Sequence, residues 1–170
     1  DLLGLALRFH NGRPAGVTAD PADQDLILAS FRSLATLPWA LLTTDPHDFL
    51  GSTYTGAATF AVEGLGRVGL QIRPEAPSPV GGDRDERLDR AVALGTAVLR
   101  LEAVTGPARR IELATITLGP RLAVDEADLR FTPFRSGQGI APVGLIQELR
   151  RAVYPASQAG RNSSREPSPR

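Results

Sequence analysis

The chain has 170 residues, enough for one domain with a substantial core. Basic and acidic residues balance at 19 each, with no lysine at all, so the basic excess usual in nucleic-acid partners is missing. The absence of cysteine excludes disulfides, thiolate metal sites and cysteine nucleophiles.

The chain begins on an alternation. Leu3, Leu5, Leu7 and Phe9 are interleaved with Gly4, Ala6, Arg8 and His10, which predicts a half-buried strand. Asn11 and Gly12 mark a turn. Residues 25–31 form a second apolar run, read as a strand. Residues 32–50 hold short apolar clusters broken by Pro38 and Pro46, which suits short helices or loops. Residues 55–63 and 67–73 flank Gly64, Leu65 and Gly66, the signature of a hairpin with a short glycine-containing loop.

Residues 75–82 read as a linker. Asp83 then opens a helix, with Glu86 as its capping-box partner. Leu88, Ala91, Val92, Gly95, Val98 and Leu99 keep helical spacing, so the helix is expected to run on until Gly106 and Pro107. Residues 109–119 return to a strand pattern, and 128–132 are a candidate short strand. Gly137 and Gly139 mark a loop. Residues 143–154 are expected to form a second helix, with Leu145, Ile146, Leu149 and Val153 on its apolar side. Pro155 predicts a kink at Tyr154. Residues 162–170 are polar and contain proline, and are expected to form a disordered tail. About five strands and two longer helices, with hairpins rather than βαβ units, give an α+β class with an antiparallel sheet.

Other absences narrow the function classes. Two histidines, His10 and His47, cannot build a histidine-rich metal cage by themselves. No apolar run approaches the ~20 residues of a membrane-spanning helix, and no signal peptide is visible, so a cytoplasmic location is the default. Gly64 and Gly66 are not a phosphate loop, since no lysine follows. The serines and threonines lack a histidine–carboxylate arrangement that would activate them. His10 and His47 read as surface or cap residues, Trp39 and Phe49 as core. Phe31 reads as core. The charged run 83–90 reads as a solvated helix face. The chain also has no methionine and opens directly into a strand, so further residues are expected upstream of Asp1.

The most informative stretch is 129–161. It places Arg150 four residues before Tyr154, followed by Pro155, Ser157, Gln158 and Arg161. A free tyrosine titrates near pH ~10. A guanidinium one helical turn away favours the phenolate. A further arginine could hold an anionic group of whatever sits above the tyrosine. Tyrosinate is one of the few side chains that hold haem iron.

Three blocks of residues resemble the haem catalase superfamily, including its shorter peroxidase-like members. The run Asp1-Leu-Leu-Gly4-Leu-Ala6-Leu-Arg8-Phe9 is similar to that family's D-x-x-G-x-A-x-[KR]-F strand. The hairpin from Gly56 through Thr59 and Phe60 to Arg73 is similar to its H-T-F hairpin, with Ala58 in place of the histidine. The third block is the most specific: Phe131-x-Pro133, Gly139-Ile140-x-Pro142 and Arg150-x-x-x-Tyr154-Pro155-x-Ser157-Gln158-x-x-Arg161 follow the family's pattern almost position by position. The resemblance covers most of 1–161, more loosely over 75–108.

The resemblance implies a catalase-type antiparallel β-barrel with flanking helices, incomplete at the N-terminus, spanning 1–161. It implies haem b as cofactor, and hydrogen peroxide or an organic hydroperoxide as substrate. Tyr154 would be the proximal iron ligand, Arg150 would hold it as phenolate, and Arg161 would meet a haem propionate; for Phe31, one face of the haem would be the alternative to the core. Family members are often oligomers, so a homo-oligomer is compatible with it.

The chain also departs from the family. The distal histidine lies upstream of the first matched strand, and no asparagine occupies 23–30 where the distal asparagine is expected. Ile72, Arg73 and Pro74 stand where a proximal-side histidine is expected. The alternative expectation is therefore a non-enzymatic module that binds haem or another apolar ligand without peroxide turnover.

Overall fold

Alternating apolar residues form most of the structure. In the computed structural model, residues 3–14, 16–30, 45, 47–125 and 128–144 are described. The strands are β1 (Gly4–Phe9), β2 (Gln24–Ala29), β3 (Tyr54–Thr55), β4 (Thr59–Val62), β5 (Gly66–Pro74), β6 (Val98–Val104), β7 (Arg110–Thr117) and β8 (Ile140–Val143). One helix, α1 (Arg84–Ala93), is described between β5 and β6. All strand pairs are antiparallel. The chain is thus a β-rich antiparallel fold with a curled sheet, as the α+β expectation had it in coarse form.

The long strand β5 organises the sheet. Val68, Leu70 and Ile72 are buried on one face, while Arg67 and Arg73 face outward. One edge of β5 carries β6, from Gly69↔Val104 to Pro74↔Leu99, and β6 in turn carries β7. The other edge is shared by β3 and β4. Gly56 separates them: its amide still bonds to the Leu70 carbonyl, but a Cβ there would lie 2.6 Å from the Phe60 ring. Only glycine lets Phe60 fold back over that backbone. Past this break the two short strands diverge, β3 towards β2 and β4 towards β8.

The core lies on the face where Leu26, Leu28, Tyr54, Leu70, Ile72, Leu99 and Leu101 converge, with Ala91 of α1 buried against it. On the outer face Glu102 stands opposite both Gln71 and Glu112. Two opposed carboxylates are unfavourable. Gln71 donates to Glu102 at 2.6 Å and Arg100 to Glu112 at 3.0 Å, which relieves the repulsion. A bulge beside Leu101 and Glu102 shifts the β6–β7 register.

Several sequence expectations hold. The first two strands, the glycine hairpin and the 109–119 strand are present, and Asp83 caps α1 through a full capping box with Glu86. Three need correction. The helix stops at Ala93 rather than near Gly106. Gly95 adopts φ +69°, and its amide and that of Thr96 bond back to the carbonyls of Val92 and Ala91. This Schellman closure ends the helix, and Val98 and Leu99 enter β6 between two partner strands. Residues 128–132 form no strand, because their polar groups bond to side chains of β1 and β2 instead. Val143 ends a strand rather than starting a helix: β8 pairs with β4 from Thr59↔Val143 to Val62↔Ile140. The expected helix over the rest of 143–154, the kink at Pro155 and the tail at 162–170 lie outside the described residues.

Candidate functional site

The polar groups with the deepest burial sit where β2 starts. Asp23, Gln24 and Asp25 are at most 1% exposed. Gln24 and Asp25 open an otherwise apolar strand, so pairing carries them inside with Leu26 and Leu28. Asp25 stands directly opposite Arg8 in the β1–β2 register. The Arg8 guanidinium grips both Asp25 oxygens, with Nε 2.8 Å from Oδ1 and Nη2 3.1 Å from Oδ2. The same Oδ2 accepts the Thr132 amide at 3.0 Å and the Arg135 guanidinium. A carboxylate taken from water needs such charged and directed partners.

Asp23 is enclosed by a second set. Arg13 Nη2 lies 2.9 and 2.8 Å from its two oxygens, and the Asp20 amide donates to Oδ2 at 2.8 Å. Burial alone pushes the Asp23 carboxyl up. The Asp20 amide, the hydrogen bond and charge of Arg13 and the Asn11 amide outweigh it and hold the carboxyl at about 2. The same hydrogen bond raises the pKa of Arg13. His10 Nδ1 lies 3.4 Å from Asp23 Oδ2 without hydrogen-bond geometry, and its Nε2 faces the Gly16 amide at 3.5 Å. His10 is therefore largely enclosed and accepts the Gly16 amide, which fits the cap rather than the surface half of the expectation. His47, with its amide donating to Asp45, is exposed as expected.

Gln24 joins the start of β2 to residues 135–140. Its Nε2 donates to the Arg135 and Asp25 carbonyls, and its Oε1 accepts the Ile140 amide at 3.3 Å. The Asp25 amide reaches the Arg135 carbonyl and the Gly137 amide reaches the Asp23 carbonyl. A Cβ on Gly137 would lie 2.3 Å from the Ala22 carbonyl group, so only glycine permits this approach. Residues 132–140 thus lie as a strap across the start of β2, and a shallow hollow lined by Pro21, Thr132, Phe134, Arg135, Ser136 and Gly137 opens beside it.

The expected site residues Arg150, Tyr154 and Arg161 lie outside the described residues, as do Phe31 and Trp39. Phe49 is half-buried and packs against the core. The structure does bring together residues of the three motif blocks. Arg8 of the first lies 4.8 Å above the Phe131 ring of the third. Phe60 of the second pairs with Pro142 of the third. No group of three histidine, aspartate or glutamate side chains suited to a metal ion occurs among the described residues. No described helix is long and apolar enough to cross a membrane.

The buried pairs centred on Asp23 and Asp25 were missed by sequence reasoning. Their one signal was a charged residue at the head of an apolar strand, facing an arginine that interrupts the preceding one. Comparison with protein-family models, with curated proteins and with solved structures found no match.

Proposed function

We propose that this chain is a haem b protein of catalase-like barrel fold, acting on hydrogen peroxide or an organic hydroperoxide. Tyr154 serves as the tyrosinate ligand, Arg150 favours its phenolate form, and Arg161 meets a propionate. Haem held by Tyr154 and Arg161 would supply the iron redox chemistry that peroxide reactions need. The observation that carries this reading is the meeting of the three motif blocks. Arg8 and Phe131 stack, and Phe60 and Pro142 pair, although more than 80 residues separate the members of each pair. One folded unit that contains all three blocks is what the reading requires, and their meeting is consistent with it. The β8 strand then ends at Val143, beside Thr59 of the hairpin block, just before the stretch that holds Arg150 and Tyr154.

A specific observation favours the second reading, a module that holds haem or another apolar ligand without turnover. Peroxide turnover uses a group that moves a proton above the iron. Where the family has its distal asparagine, the side-chain oxygens and nitrogens of Asp23, Gln24 and Asp25 are engaged in bonds within the fold.

One titration addresses both readings. Hemin added to the purified chain is expected to give a high-spin ferric Soret band, and Tyr154→Phe is expected to abolish or shift it. Peroxide loss by the loaded protein then separates the enzyme from the binder. A wild-type chain that takes up no hemin overturns the haem assignment, and an unchanged band in Tyr154→Phe removes Tyr154 as ligand.

A further inference from the structure

We infer that His10 is a pH-sensitive tether: its neutral ring holds the loop between β1 and β2, and a protonated ring releases it. The imidazole follows directly on β1, and its side chain is only 11% exposed. Its two nitrogens meet different groups. Nε2 accepts the Gly16 amide at 3.5 Å, and a ring nitrogen accepts only while it carries no proton. The proton of the neutral ring therefore sits on Nδ1. That atom is buried without a hydrogen bond, 3.4 Å from Oδ2 of the fully enclosed Asp23. The other charged groups gathered around this contact, among the described residues, come from the loop. They are Arg13, which grips both Asp23 oxygens, and Asp20, whose amide donates to Oδ2. Arg8, two residues back along β1, is engaged by Asp25.

A second proton on the ring changes both contacts at once. It puts a donor on Nε2 against the donor of Gly16, and that bond is lost. It also puts a full charge beside Asp23, whose carboxyl, held at about 2, stays ionised wherever a histidine titrates. The imidazolium is drawn towards Asp23 Oδ2 and away from Gly16. The loop is fixed on either side of Gly16, because Arg13 bonds Asp23 and the Val17 carbonyl accepts Arg8 at 3.1 Å. Opening is therefore confined to the turn between Arg13 and Val17, and the new Nε2 proton turns to water.

The test follows the full chain by proton–nitrogen correlation spectra and amide exchange from about pH 8 to about pH 5. His10→Gln is measured beside it, since a glutamine oxygen can accept the Gly16 amide but does not titrate. The nitrogen shifts of the neutral His10 ring should show the proton on Nδ1. Gly16 protection, corrected for the intrinsic pH dependence of exchange, should fall about fivefold on acidification, the worth of one ordinary hydrogen bond. Its midpoint should coincide with that of the His10 ring, while the Asp20 amide, bonded to Asp23, keeps its protection. In His10→Gln the Gly16 amide should be equally protected throughout. His47 remains in that variant, so a fall that persists there has another origin and overturns the inference. A flat Gly16 profile in the wild type, or a neutral ring protonated on Nε2, overturns it as well. If His10→Gln does not fold, the wild-type ring form and the shared midpoint decide the matter by themselves.

Discussion

Asp23 and Asp25 are two residues apart and both fully enclosed, yet they do different work. Asp25 is held between Arg8 of the neighbouring strand and Arg135, 110 residues away in sequence. Arg8→Met leaves Asp25 with Arg135 and the Thr132 amide alone, its Oδ1 unpaired, and should destabilise the fold by about 1–3 kcal/mol, read by urea unfolding. Asp23 closes a local loop through Arg13 and the Asp20 amide. Its folded carboxyl lies near 2 against an ordinary 3.8. A depressed carboxyl contributes stability that is complete above the unfolded pKa and is lost as pH falls through the folded one. Thermal melts should therefore show this contribution intact above pH about 4 and fading towards pH about 2. In Arg13→Met burial is less opposed, and the acid transition should move to higher pH.

At the scale of the element, α1 shows how a short helix is bounded by chemistry at its ends. Asp83 accepts from the amides of Asp85 and Glu86, and Glu86 returns the bond to the Asp83 amide. At the other end Gly95 takes the left-handed conformation that any residue with a Cβ resists. Gly95→Ala should cost about 1–2 kcal/mol of stability, measured by chemical unfolding, whereas Asp83→Ala should cost about 1 kcal/mol. Sequence spacing located the start of this helix because a capping box is local. The same spacing overran the end because Val98 and Leu99 fit a helical face and an alternating strand equally well. Leu99, Leu101 and Ala103 are all buried in the observed strand, and the competition was settled by β5 and β7 on either side.

At the scale of the whole molecule, the sheet is divided by the break at Gly56 and rejoined by the strap. β3 leads to β2, β4 leads to β8, and residues 132–140 bridge from one to the other. Gly137 runs so close to Ala22 that a Cβ on it would lie 2.3 Å from the Ala22 carbonyl group. Gly137→Ala forces backbone apart there and should lower stability by roughly 1–3 kcal/mol, with hydrogen exchange rising on both 130–140 and the start of β2. An unchanged melting temperature would mean that the strap docks loosely.

The sequence by itself determined what depends on near neighbours: the alternating strands β1, β5 and β7, the glycine hairpin, and the capped start of α1. It also supplied the arginine–tyrosine spacing on which the haem reading depends. Tertiary structure alone decided where α1 ends, that 140–143 is a strand, and that Asp23, Gln24 and Asp25 belong inside. A charge is buried only when its partners arrive, and for Asp25 those partners are Arg8 and Arg135, far from it along the chain. In the sequence the meeting shows only as charges that interrupt two apolar runs; which charge faces which is set by pairing between strands.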